Sequence, residues 1–247
     1  SLTEAELGTR PNNILIVASF IWLLVSFWNR NALPGDIDYV AEIENEPQQT
    51  PTSERPFHAT VNDVQYLVEP EYAYDLTGMV VSYRRHEGNS RMHMLANDHI
   101  NMIDVCVVWG DNTRSDLHAI DFWNGIFTCN VFTRDMDAWE SFDMDQLSNN
   151  HLISDDEFIR KQVRKIRVGD QVRFRGYLAS YSNDTGSKRG TSTTRTDTGN
   201  GACETVYVEY FRIVEPATSA WRISMWTSLA LLLLGLVVHF RRPYKPY

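Results

Sequence analysis

The feature that most constrains this chain is an uncharged apolar run near its C-terminal end, Ile223–Phe240 (ISMWTSLALLLLGLVVHF), which stops against Arg241, Arg242 and Lys245. Counted from Trp221, with only Arg222 charged at its edge, it supplies the roughly 20 residues that a helix needs to cross a bilayer. A helix in a water-soluble core keeps a polar face. Leu229, Leu231 to Leu234, Leu236, Val237 and Val238 leave none, so this segment must be surrounded by apolar material. Trp221 and Trp226 before it, and Tyr244 and Tyr247 beyond it, stand where interfacial aromatic belts stand. Pro243 and Pro246 end it.

A second apolar run, Ile14–Trp28 (ILIVASFIWLLVSFW), lies near the other end. A signal peptide is the rival reading, but Glu4 and Glu6 beside a single Arg10 do not make a basic leader, and no small-x-small site follows the run. It is expected to be an uncleaved anchor. Arg241, Arg242 and Lys245 outweigh Arg222 across the second span, which predicts a cytoplasmic C-terminus and, with two spans, a cytoplasmic N-terminus. The expected division is a cytoplasmic tail 1–13, a first span 14–30, an acidic proline-containing linker 31–56, a β-rich domain 57–216, a second span 221–240 and a basic cytoplasmic tail 241–247. In a bacterium this places the protein in the inner membrane with its main domain in the periplasm.

Between the spans lie about 190 residues, enough for one domain with a substantial core. Six of the 23 basic and two of the 32 acidic residues fall outside this segment, leaving it 17 against 30 and a net charge of −13. Such a charge makes nucleic acid a poor partner and disfavours adhesion of the domain itself to anionic lipid. Cys106, Cys129 and Cys203 are separated by 22 and 73 residues, match no zinc spacing, and in an oxidising compartment suggest one disulfide and one free thiol. Spacing does not choose the pair.

Pro34, Pro47, Pro51 and Pro56 punctuate the linker, which is expected to run extended, toward the folded body or along a partner. From Phe57 onward the pattern changes to short β-branched and aromatic runs. Val64–Val68, Tyr74–Tyr83, Ile103–Trp109, Ile126–Phe132, Val172–Tyr181 and Thr205–Val214 read as strands. The fold class is therefore mainly β: a small antiparallel barrel with one helix, carried by two transmembrane helices. Gly78 and Gly176 inside two strands suggest bulges or coiling. The helix is expected over Asp155–Arg167, capped by Ser154 with Glu157 completing a capping box, and with Ile159, Val163 and Ile166 facing the body. Arg160, Lys161, Arg164, Lys165 and Arg167 fill its other face. The strand VRFRGYL after the VGDQ turn looks like those of small barrels, the oligonucleotide/oligosaccharide-binding (OB) fold among them.

Three stretches, RGTSTTRTDTGNGACET (189–205), LSNNHL (147–152) and DVCVVWG (104–110), together resemble an uncharacterised family of bacterial membrane-anchored proteins. The resemblance spans most of the outer domain. It implies the anchored topology and transfers no activity, cofactor or site residue.

No catalytic signature is complete. Gly186-Ser-Lys-Arg-Gly190 gathers the residue types of a phosphate cradle but lacks the G-x-x-x-x-G-K-[ST] order. His93, Asp98 and His99 fit no standard metal geometry, G-x-S-x-G is absent, and the carboxylates of RDMDAWESFDMD lack a calcium-loop register. His239, beside Arg241, reads as an interfacial residue rather than a pigment ligand. No cofactor or metal is expected, and no enzymatic activity. The expected role is a non-catalytic accessory or scaffolding subunit of a larger inner-membrane complex, respiratory or photosynthetic, whose partners are other membrane-protein subunits and the lipid bilayer. Candidate contacts are the small residues Ser19, Ser26, Ser224, Ser228 and Gly235 on the spans, Trp139 and Phe142 in the acidic run, and Lys188, Arg189 and Arg195 in the polar loop 182–201. The alternatives are a periplasmic ligand-binding module, with a groove around Arg173, Arg175 and that loop, and an envelope hydrolase.

Overall fold

The computed structural model describes residues 4–86, 94–125, 127–194, 196 and 203–241 and divides into two compact units, 1–36 with 218–247, and Ile37–Ala217. In the first unit, α1 (Glu4–Trp28) and the last helix, Ala220–Arg241, are long and apolar enough to span a membrane. Helix α1 begins ten residues before the expected span and carries Pro11 inside it.

The small residues explain how these two helices pack. Ser26 and Ser228 are buried, the Ser26 hydroxyl donates to Ser224 Oγ (3.1 Å), and Trp22 Nε1 also donates to Ser224 Oγ. Asn12 Nδ2 donates to the Gly235 carbonyl (3.2 Å), and a Cβ on Gly235 would lie 2.8 Å from Ile16. Ser19 is buried too, its hydroxyl donating back to the Leu15 carbonyl. Ser26, Ser224 and Gly235 thus take part in contacts between the two helices of this chain, while the hydroxyls of Ser19 and Ser228 bond within their own helices.

The second unit is built from β1 (Gln48–Pro51), β2 (Phe57–Val61), β3 (Val64–Arg85), β4 (Asn101–Val108), β5 (Asp121–Asn124), β6 (Cys129–Phe132), α2 (Met136–Ser141), β7 (Leu147–Ile153), α3 (Glu157–Val163), β8 (Gln171–Asn183), β9 (Lys188–Arg189) and β10 (Glu204–Glu215). The last helix is α4. Two of the expected strands fuse into β3, whose 22 residues let it pair with β8 along one side and β4 along the other. The order β3-β4-β7-β10-β8 therefore returns to β3 as a ring. All neighbours are antiparallel except β7 and β10, which run parallel. Leu76, Val80, Ile103, Val105, Val107, Leu152, Val172, Phe174, Leu178, Val206 and Val208, drawn from all five strands, are fully buried.

Three local differences from the sequence reading have clear causes. The stretch expected as a linker joins the body from Ile37: Ile43 is fully buried, Gln171 bonds Val40 N and the Asp38 carbonyl, and Gln48–Pro51 pairs with Tyr72–Asp75 of β3. Helix α3 is shorter than expected because Asp156, not Ser154, caps it, accepting from Phe158 N and Ile159 N. Ser154 instead donates to the Val208 carbonyl, and Arg160 turns inward onto the carbonyls of His99, Ile100 and Ser154 rather than into solvent. Ile159, Val163 and Ile166 face the body as expected. Gly176 marks a near-collision, not merely a kink, since a Cβ there would sit 1.9 Å from the Tyr207 carbonyl oxygen, beside the register shift between Val208 and Tyr210.

Candidate functional site

Polar residues on β4 and β7 build the most unusual part of the domain. Strand side chains alternate between faces, so β7 turns Ser148, Asn150 and Leu152 one way and Asn149 and His151 the other. The register sets Asp104 opposite His151 and Cys106 opposite Asn149, and β3 brings Ser82 and Arg84 alongside. The insertion 109–146 between β4 and β7 covers this face.

Its cover is fastened at several points. A disulfide joins Cys106 of β4 to Cys129 of β6, with Cα atoms 5.8 Å apart, and this resolves the three-cysteine arithmetic, leaving Cys203 free. Ser82 Oγ donates to Asn124 Oδ1 (2.7 Å), and Asn124 Nδ2 donates to Asn149 Oδ1 (3.0 Å). Asn112 Nδ2 donates to the Asp143 carbonyl (2.7 Å) and Phe122 packs on Phe142. Phe127 holds a left-handed φ of 60°, costly for a bulky residue.

Beneath Phe127 lies a carboxylate between two imidazoles. His86 Nε2 is 2.8 Å from Asp104 Oδ2, His151 Nδ1 meets Asp104 Oδ1, and all three side chains are buried. Burial alone would push the Asp104 carboxyl up. The contacts from His151 and His86 outweigh it and hold the group well below the usual carboxylate range. Burial lowers the His151 imidazole despite Asp104, so a neutral ring donates an Nδ1–H hydrogen bond to an ionised carboxylate. The Phe127 ring stands edge-on to His151 (5.9 Å) and tilted over His86 (6.4 Å). Cys203, just before β10, donates its thiol to the Phe127 carbonyl (3.1 Å) and accepts from Asn149 Nδ2 (3.4 Å), and burial pushes that thiol up.

No protein-family model, curated protein or solved structure matches this chain.

The residues singled out from sequence distribute unevenly. Lys188 and Arg189 lie on β9 and line a cavity of about 200 Å³ together with Ala96, Asp98, Phe127, Tyr181 and Ser187. Arg195 and His93 lie outside the described residues. Asp98 accepts from Tyr181 Oη (2.8 Å), while His99 offers its carbonyl to Arg160. Phe142 is buried and anchors the insertion, whereas Trp139 is 43% exposed. Asp135 and Asp143 of the acidic run act locally, accepting from Ala138 N and Asp145 N. Arg173 is committed to a bidentate pair with Asp75 (3.0 and 2.7 Å). Arg175 lies over Tyr210 and, with Tyr74 and Tyr177, lines an open groove of about 530 Å³. The expected single groove around Arg173, Arg175 and the polar loop is therefore two places, one lined by Arg175 and one by the loop.

Sequence reading missed His86, Asp104 and His151 as a group. His151 stands inside LSNNHL, too polar to announce a strand, and only the pairing of β4 with β7 brings it to Asp104.

Proposed function

We propose that this protein is a non-catalytic, membrane-anchored accessory subunit whose outer domain, a small OB-like barrel, docks on neighbouring membrane proteins. The observation that carries the reading is the surface of the 109–146 insertion. Trp123 (49% exposed) and Phe132 (46%) share the outward face of the β5–β6 hairpin, diagonal to one another in its register, and Met136 (65%) and Trp139 lie three residues apart on α2. Large aromatic and Met side chains held in water at such density are what interface cores use. The acidic surface around them keeps the outer domain soluble and selects against acidic partners.

The ring supports the barrel part of the proposal: numbered within the ring, its strands run 1-2-3-5-4, the third and fifth parallel, with α3 between the third and fourth. Barrels of this type take ligands on the face of strands two and three. Here those strands, β4 and β7, lie under the disulfide-fastened insertion, which favours protein contact over a ligand there. The Cys106–Cys129 disulfide fits an oxidising compartment such as the periplasm. Cys203 speaks against a thiol nucleophile, because catalysis needs a lowered thiol pKa and burial raises this one.

The test is extraction of the full chain from native membranes in gentle detergent, comparing wild type with Trp123→Ser/Trp139→Ser. A partner chain should copurify with wild type and be lost from the variant, both remaining folded by circular dichroism. A wild-type protein recovered only as a monomer would sink the proposal.

A periplasmic ligand-binding module is the second reading, favoured by the 530 Å³ groove, whose size and tyrosine lining suit a small organic ligand. Loss of ligand-dependent thermal stabilisation in Tyr177→Ser would distinguish it from the first.

A further inference from the structure

The geometry points to the 200 Å³ cavity at the β8–β9 turn as a binding site for a small oxyanion of the phosphate, sulfate or short carboxylate class. It concentrates cationic groups in a domain of net charge −13. Arg189 is held in place before any ligand arrives: its guanidinium carbon sits 3.9 Å over the Phe127 ring, and it lies close to Tyr181, whose hydroxyl donates to Asp98. A stacked, pre-oriented guanidinium presents its N–H edge as a fork for oxyanion oxygens without losing further side-chain freedom. Neighbouring Lys188, exposed and with no described ion-pair partner, supplies a second, movable charge. Ser187 adds a hydroxyl at the wall.

Asp98 is the carboxylate of the described lining. It is buried and its Oδ1 accepts from Tyr181, and of the two cations in that lining Lys188 has no ion-pair partner among the described residues. Size then limits the ligand. A space of this volume takes a tetrahedral oxyanion with residual solvent. An ion of about five non-hydrogen atoms is bound no tighter than about micromolar.

The experiment is isothermal titration of the full chain in neutral detergent at low ionic strength, with inorganic phosphate, sulfate and acetate as probes and chloride as the reference ion. Expected is saturable one-to-one binding of at least one oxyanion, weakened tenfold or more by Lys188→Gln and by Arg189→Gln, partly restored in Arg189→Lys, and unchanged in Arg212→Gln. Lys188 is exposed and its replacement leaves the Phe127 stack intact, so loss in that variant is not a folding defect. Absence of saturable binding at 10 mM, or equal weakening in Arg212→Gln, overturns the proposal. Vesicles of anionic phospholipid that bind through Lys188 and Arg189 when inorganic phosphate does not would overturn the free ion as ligand.

Discussion

Removing the Cys106–Cys129 bridge tests how the insertion is held. The two cysteines are 23 residues apart. Closing a loop of that length removes about 11 cal/mol/K from the unfolded chain, or roughly 3.4 kcal/mol at 25 °C, in the chain-entropy treatment. For a domain of this size each kcal/mol moves the melting temperature by about 2–4 °C, so the double variant Cys106→Ala/Cys129→Ala should melt roughly 7–14 °C lower. Both cysteines are replaced together so that neither thiol can pair with Cys203. The assay is thermal melting of the outer domain followed by near-ultraviolet circular dichroism, since Trp109 and Trp123 lie in the insertion, with reduced wild type as a second route to the same state. Alkylation of denatured, unreduced wild type should label one thiol per chain. Labelling of three, or a melting point within about 2 °C of wild type after removal of the bridge, would refute the reasoning.

Acid should weaken the domain in two windows. His151 and Asp104 both have native pKa values below their unfolded ones, so the unfolded chain binds more protons as the pH falls, and stability is lost below about 6.5 through His151 and again below about 3.8 through Asp104. Each group contributes a slope of about 1.4 kcal/mol per pH unit within its window. A urea midpoint that does not fall between pH 7 and pH 5, or that falls equally in His151→Gln, would contradict this. Gly176→Ala should cost about 1–3 kcal/mol because its new methyl would overlap the Tyr207 carbonyl and force β8 from β10. An unchanged denaturation midpoint would show that the strands separate at no cost.

Much of the chain's organisation was legible residue by residue. The uncharged runs 14–28 and 223–240 announced two spanning-length helices, and β-branched alternation located most of β3, β4, β8 and β10. The failures share a cause. LSNNHL becomes a strand because β4 and β10 pair with it from both sides and shield its polar side chains. Gln48–Pro51 does so because β3 is long enough to leave an edge open at Tyr72–Asp75. Ser154 and Asp156 are both competent caps. The choice between them was made by the Val208 carbonyl, which claims the Ser154 hydroxyl.

What the sequence determines by itself is what depends on neighbours within a turn or a strand: apolar length, alternation, net charge and the number of thiols. Tertiary structure alone decided which cysteines pair, that Asp104 stands between His86 and His151, and that Arg189 stacks on Phe127 at the wall of a cavity that Lys188 also lines. Each of those brings together residues 18 to 65 positions apart in the chain, and such meetings are fixed by how the strands pair rather than by local preference, since one step of slippage would turn strand residues such as Asp104, Cys106 and His151 to the opposite face.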